Sequence, residues 1–206
     1  MYRKLLLPTL AVVALVMIVP SIATATAVPD LPSNAHQAYI ADGGGNPEGG
    51  TFTLSGAISI NGAHTLSCSS TDMTIDFFDD GTSAVTGYSA TSCVIAGFPS
   101  CTVTTSATSL GWGDRFGYDT SVGAFRDYIN VSFDITFSQG LPTCPYPAGT
   151  YPKTGTLSPT ISISGGVLTA TFGSGSGGLS GPLGTETWGG SLSSTSGIGS
   201  DTQLVF

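Results

Sequence analysis

Residues 127–137 read Asp127-Tyr128-Ile129-Asn130-Val131-Ser132-Phe133-Asp134-Ile135-Thr136-Phe137. Tyr128, Asn130, Ser132, Asp134 and Thr136 fall on one face. Ile129, Val131, Phe133, Ile135 and Phe137 fall on the other. A period of two separates the faces of a strand, whereas a helix would scatter both sets around its circumference. The same period governs residues 51–59, where Phe52, Leu54, Gly56 and Ile58 alternate with Thr51, Thr53, Ser55 and Ser59. Asn61-Gly62 is a hairpin signal leading into a return strand, His64 to Ser69. Met73 to Phe78 and Thr82 to Ser92 flank Asp79-Asp80-Gly81, a turn in which Gly supplies the positive φ. Cys101 to Leu110, Thr154 to Ser164 and Gly166 to Phe172 read as further strands. Gly111 to Gly117 reads as a turn, the stretch with Pro142, Pro145, Pro147 and Pro152 as a loop, and the Gly/Ser-rich residues 173–184 as a flexible run. Residues 185–194 and 201–206 are expected to close the chain as a final hairpin.

About ten short strands with no helical period predict an all-β, antiparallel β-sandwich or β-barrel. One domain, 51–206, is expected. Residues 28–50 precede it as a flexible segment, because Pro29, Pro32, Gly43-Gly44-Gly45 and Gly49-Gly50 interrupt regular structure.

Composition narrows the function classes. Of 206 residues only 9% are charged, with five Lys and Arg against thirteen Asp and Glu. Nucleic-acid binding needs basic patches to neutralise phosphates, and this acidic chain has none to offer. So few charges and strong helix formers also exclude a coiled coil or a helical bundle.

Residues 1–27 read as a secretory signal peptide. Arg3 and Lys4 form its basic start, Leu5 to Val19 its apolar stretch, and Ala25-Thr26-Ala27 an A-x-A cleavage site. Its removal makes the remainder more acidic still and leaves no apolar run long enough for a transmembrane helix. A secreted or cell-envelope location follows, with the protein expected as a monomer.

Behind such a leader, Cys68, Cys93, Cys101 and Cys144 imply two disulfides. Cys68–Cys93 with Cys101–Cys144 is the preferred pairing, and Cys93–Cys101 with Cys68–Cys144 is its rival. The gaps are too long, and His36 and His64 too few, for a zinc site.

The four cysteines sit in recognisable surroundings: Thr65-Leu66-Ser67-Cys68-Ser69-Ser70, Ser92-Cys93, Cys101-Thr102-Val103-Thr104-Thr105 and Cys144-Pro145-Tyr146, with Leu110-Gly111-Trp112 and Trp188-Gly189-Gly190 between and after them. In these features residues 51–206 resemble small secreted β-rich proteins of actinobacteria that have four cysteines and no assigned function. Gly111 departs from the Pro of that group's Leu-Pro-Trp element. The resemblance implies a fold and a location, and no catalytic residues.

Several constellations bear on chemistry. Gly173-Ser174-Gly175-Ser176-Gly177 is spelled like a nucleophile elbow but lacks the strand-to-helix context, and His36 and His64 read as solvated loop residues rather than triad or copper ligands. Asp76, Asp79 and Asp80, or Asp114, Asp119, Asp127 and Asp134, could supply the paired carboxylates of a glycoside hydrolase. Asp42 with Asn46 and Glu48, or Asp79-Asp80, could hold calcium in an oxygen-rich loop. Whether calcium binds is left open, and no cofactor is indicated. The aromatics Trp112, Tyr118, Tyr146 and Tyr151 are expected to be exposed and to form a ligand-binding face, since such rings stack on sugars or anchor a protein partner. The terminal Thr202-Gln203-Leu204-Val205-Phe206 has the alternation and final Phe of an outer-membrane barrel. The leading expectation is a non-enzymatic binding or structural module, with a cell-wall glycan or protein as partner. A carboxylate hydrolase and a small outer-envelope barrel are the alternatives.

Overall fold

The computed structural model describes residues 27–206 apart from 174, 196–198 and 200, so the expected leader lies outside the described residues except for Ala27. Every regular element is a strand: β1 (Ala35–Gln37), β2 (Tyr39–Ala41), β3 (Gly50–Asn61), β4 (Thr65–Phe77), β5 (Thr82–Ile95), β6 (Phe98–Ala107), β7 (Trp112–Asp119), β8 (Ala124–Phe137), β9 (Gly149–Leu157), β10 (Thr160–Ser164), β11 (Val167–Phe172), β12 (Gly177–Ser180), β13 (Thr187–Ser194) and β14 (Gln203–Val205). All pairings are antiparallel. Among the described residues no helix is long and apolar enough to cross a membrane.

The pairings form a closed circuit. β3 pairs with β4, β4 with β5, β5 with β7 and β7 with β8. The circuit continues through β10, β11 and β13 back to β3. β5 gives its first half to β7 and its second half to β6, and β8 divides its partners in the same way. The short β6 and β7 therefore lie end to end between two long strands. On the other flank of β8, β9 and β10 share a position likewise, β10 through the single pair Thr160↔Arg126. Register shifts at Gly56/Ile58 in β3 and Thr74/Ile75 in β4 bend the long strands, as closure requires.

The period of two decides what lies inside. Trp112, Phe133, Leu54, Leu157 and Leu168 are wholly buried, and Trp188, Met73, Ile75 and Ile129 nearly so. Tyr88 packs on Trp112 and Trp188 with ring centroids 5.4 and 6.2 Å apart, and Phe133 lies 5.8 Å from Trp188. The interior is thus a filled core rather than a channel, each large side chain contributing about 1.5–3 kcal/mol by burial. Outward positions carry hydroxyls and short polar groups that bond across strands, as in Thr53–Thr74, Thr136–Thr150 and Thr169–Ser193, with Ser55 donating to Asp72 and Thr51 to Asp76. A surface with few charges is satisfied in this way.

The two ends differ. The first, where β8 begins, is covered by residues 35–48 and by the C-terminal strand. β1 pairs with β7, β2 pairs with β14, and Gln37 donates to the carbonyls of Gly81 and Phe116. The second, where β8 ends, is rimmed by the β3–β4 turn, the β5–β6 hairpin and the loop 138–148. Cys101–Cys144 ties that loop to β6, and Cys68–Cys93 links directly opposed residues of β4 and β5. The preferred pairing is the observed one.

The structure corrects several expectations. Among the described residues there are fourteen strands rather than about ten, because the segments read as irregular contribute their own. Residues 28–50 supply β1 and β2, with Ala38, Ile40 and Ala41 buried. Gly111 to Gly117 is not a turn but most of β7. A side chain at Gly117 would stand 2.8 Å from Leu31, so the glycine marks where the N-terminal segment crosses the outside of a strand. Residues 173–184 include β12, paired with β9. Pro152 lies within β9, opposite Asp134 of β8 and beyond the reach of β12, where β9 has a partner on one side only. Residues 185–194 and 201–206 form no hairpin with each other, since β13 pairs with β3 and β11 and β14 pairs with β2.

Candidate functional site

The four aromatics singled out from the sequence occupy three places. Trp112 is a correction. It is wholly buried in mid-barrel, with Nε1 donating to the Ser132 carbonyl at 3.1 Å, because alternation along β7 turns it inward with Phe116. Tyr118 lies at the first end, half-buried, stacked on Phe206 at 4.0 Å with the rings 2° from parallel. Tyr146 and Tyr151 meet at the second end. About 40 Å of strand separates the two ends along β8.

The second end gathers the larger cluster. Tyr146 stands 5.2 Å and Tyr151 5.5 Å from Phe137, and 6.3 Å from each other. The exposed His64 lies edge-on to both Phe98 and Tyr146, at 5.5 Å from each. Tyr151 donates its hydroxyl to the Pro147 carbonyl at 2.9 Å, which fixes the loop against β9. Beside the cluster, Gly97, Phe98, Pro99, Ser100, Pro142 and Thr143 line an open cleft of about 290 Å³. His64 and Phe98 also belong to this site, although the sequence reads His64 only as a solvated loop residue. Their proximity to Tyr146 comes from barrel closure, which no local pattern shows.

Beneath the rim lies an ion pair. Lys153 Nζ is 2.8 Å from Glu186 Oε2, and Lys153 is wholly buried. Beyond that contact neither atom has a hydrogen-bond partner among the described residues. Burial, with the Glu186 charge adding to it, holds the Tyr146 phenol above its ordinary range. Among the described residues no group of three or more His, Cys, Asp or Glu comes together.

The carboxylates divide by environment. Asp42 accepts from the Asn46 side-chain amide at 3.0 Å and from the backbone of Asn46 and Gly44, both at 2.9 Å, and these bonds, the side-chain one foremost, hold its carboxyl below the usual range. Asp80 accepts from Thr82 N at 2.8 Å and from its hydroxyl, with the same effect. In both calcium candidates the turn's own donors thus engage one carboxylate, Asp42 or Asp80. Asp114 and Asp127 differ: both are wholly buried on the inward faces of β7 and β8. Burial pushes Asp127 up to about 7, and burial with the neighbouring Asp127 charge drives Asp114 well above the ordinary carboxylate range. Neither aspartate lines the cleft beside Phe98, the trough beside Val94 or the depression beside Phe125.

An open trough of about 360 Å³ lies on the outer face of β13, β3, β4 and β5, lined by Ser59, Ser67, Ser69 and Val94 with no titratable side chain. No protein-family model matches the chain, nor does any curated protein or solved structure. The two disulfides are the mark of an oxidising, non-cytoplasmic compartment.

Proposed function

We propose that the protein is a secreted or cell-envelope binding module that engages its partner at the second end of the barrel. The observation that carries this is the cluster of His64, Phe98, Tyr146 and Tyr151 beside an open cleft. Half-exposed rings with polar tips, held by a disulfide-anchored loop, present apolar faces and hydrogen-bonding groups together, which is what a sugar ring needs. A cell-wall glycan is therefore the preferred partner. Similarity to the secreted four-cysteine proteins of actinobacteria, suggested by the sequence, is in keeping with this reading.

The alternatives receive less support. A hydrolase needs two carboxylates open to substrate, and Asp114 and Asp127 are sealed in the core. A membrane barrel needs a continuous outward apolar band, and many outward positions here carry Thr, Ser, Asn and Asp that bond across strands. Phe206, the residue behind that alternative, is engaged with Tyr118.

Co-sedimentation of the oxidised chain with insoluble cell-wall glycan tests the reading. Retention of the wild type, reduced at least tenfold by Tyr146→Ala or Phe98→Ala but not by Tyr118→Ala, is expected. Absence of retention, or equal loss with Tyr118→Ala, would refute the site.

A further inference from the structure

We propose that Asp114, Asp127 and Ser83 form a binding site for a hard divalent cation, calcium in preference, in the core near the first end of the barrel. The inference is independent of the binding reading above and concerns the opposite end of the molecule.

Register brings the three residues together. Ser83 on β5 stands directly opposite Asp114 on β7. Asp114 pairs with Ile129 on β8 and Asp127 pairs with Phe116, so the two carboxylates are diagonal neighbours on adjacent strands. All three point inward: Asp114 and Asp127 have no exposed surface and Ser83 has 2%. Three strands therefore deliver three oxygen-bearing side chains to one patch of the interior.

None of these oxygens is satisfied by the protein. Among the described residues, both oxygens of Asp114, both of Asp127 and the Ser83 hydroxyl have no hydrogen-bond partner. Folded proteins pair the great majority of buried polar groups, and leaving a charged one unpaired is costly. A single orphan could be an accident of packing. Two carboxylates and a hydroxyl, contiguous and unpartnered together, form a donor set.

Charge points the same way. Arg115 and Arg126 alternate with the two aspartates and so face outward, with Arg126 bonded to the Ser158 carbonyl and paired to Asp119 at 3.4 Å. Lys153 lies opposite Phe133, six residues along β8 and so about 20 Å from Asp127. A dication would balance two carboxylates that no basic side chain of these strands reaches. The donors are all oxygen, which suits a hard ion and not zinc, whose sites use nitrogen and sulfur. Calcium is preferred to magnesium because it accepts irregular all-protein oxygen shells, whereas magnesium retains waters.

Trp112 supplies the probe. It lies two residues before Asp114 on the same inward face, within sensitising distance of a lanthanide bound there. Terbium added to the full, oxidised chain after chelator treatment should emit on excitation at tryptophan wavelengths, and excess calcium should quench the signal. Calcium should also raise Tm by about 5–10 °C at a hundredfold excess over Kd. Asp127→Asn and Ser83→Ala should lose or weaken that shift, and Trp112→Phe should lose the emission but keep the shift. Should Asp127→Asn fail to fold, the wild-type and Trp112→Phe arms still decide. The proposal is overturned if calcium leaves wild-type Tm unchanged, if the shift survives in Asp127→Asn, or if emission persists in Trp112→Phe. An Asp114→Asn/Asp127→Asn chain more stable than the wild type at neutral pH in saturating calcium would likewise overturn it, and would identify a pair that shares a proton instead.

Discussion

Lys153 and Glu186 meet at 2.8 Å inside the barrel wall, and the contact joins β9 to the residue that leads into β13. Leu179 of β12 bridges to Glu186, so the pair sits where the β9–β12 ladder meets β13. Breaking a buried pair from one side strands the other charge, at a cost of about 3–5 kcal/mol. Lys153→Met should lower the unfolding free energy from urea titration by that amount. Lys153→Met with Glu186→Leu should recover most of it, because two well-packed apolar residues leave nothing stranded. A double variant as unstable as the single one would show that the pair does more than satisfy itself.

Stability should fall as pH rises from about 4 to about 7 when divalent cations are chelated. Burial raises the folded-state pKa of Asp127 to about 7 and raises that of Asp114 as well, while the unfolded values stay near 3.9. Between those limits the folded chain binds more protons than the unfolded one, so each step up in pH favours unfolding. The contribution is fully present below the unfolded pKa and is lost as pH rises through the folded one. Thermal unfolding in EDTA across this range should show Tm declining, and Asp127→Asn should flatten the decline. A flat wild-type profile would contradict it.

The two disulfides should differ in effect. Cys101–Cys144 spans 43 residues and Cys68–Cys93 spans 25, so the chain-entropy argument gives about 4 and about 3.5 kcal/mol. The stabilities are close, but the places are not. Cys144 lies two residues before Tyr146, so Cys101→Ala/Cys144→Ala should weaken glycan retention strongly. Cys68→Ala/Cys93→Ala should leave retention largely intact. Denaturant titration and co-sedimentation on the same two variants check both halves.

How far the sequence discloses this molecule depends on the range of the cause. Alternation is local, and it locates the long strands β3, β4, β5 and β8 and the inward set Ile129, Val131, Phe133, Ile135 and Phe137. The same parity, carried back one step, puts Asp127 on the inward face, a signal present in the sequence but hidden by the habit of reading Asp as surface. Trp112 was obscured by its glycines: Gly111 and Gly113 suggest a turn, whereas β7 is a strand crossed on its outside by the N-terminal segment. The pairing of Lys153 with Glu186 and of His64 with Tyr146 depends on closure between strands distant in sequence, and no spacing rule reaches that far.

Trp112 and Tyr146 should respond oppositely to truncation. Trp112→Ala removes a wholly buried ring and its bond to the Ser132 carbonyl, so a loss of about 3–5 kcal/mol is expected, with little direct effect on retention by glycan in the surviving folded fraction. Tyr146→Ala removes a half-buried ring at the rim, should cost well under half as much, and should abolish retention.

Phe206 gives the last discrimination, between a soluble module and a membrane barrel. Its ring lies 4.0 Å from that of Tyr118, nearly parallel, and 6.0 Å from Phe125, while 63% of the residue remains exposed. A stacked aromatic pair at the surface is worth about 0.5–1.5 kcal/mol beyond its area. Phe206→Ala should therefore lower stability by roughly 1 kcal/mol and leave secretion unchanged, since the ring serves to hold the chain end after β14 against Tyr118 and Phe125 over the first end. Tyr118→Ala should cost a similar amount, and the double variant should cost less than the sum, because each single change already breaks the stack. A large fall in secretion or envelope association with Phe206→Ala, at near-normal stability of the purified protein, would instead mark the terminal Phe as an assembly signal and return the membrane barrel to the front.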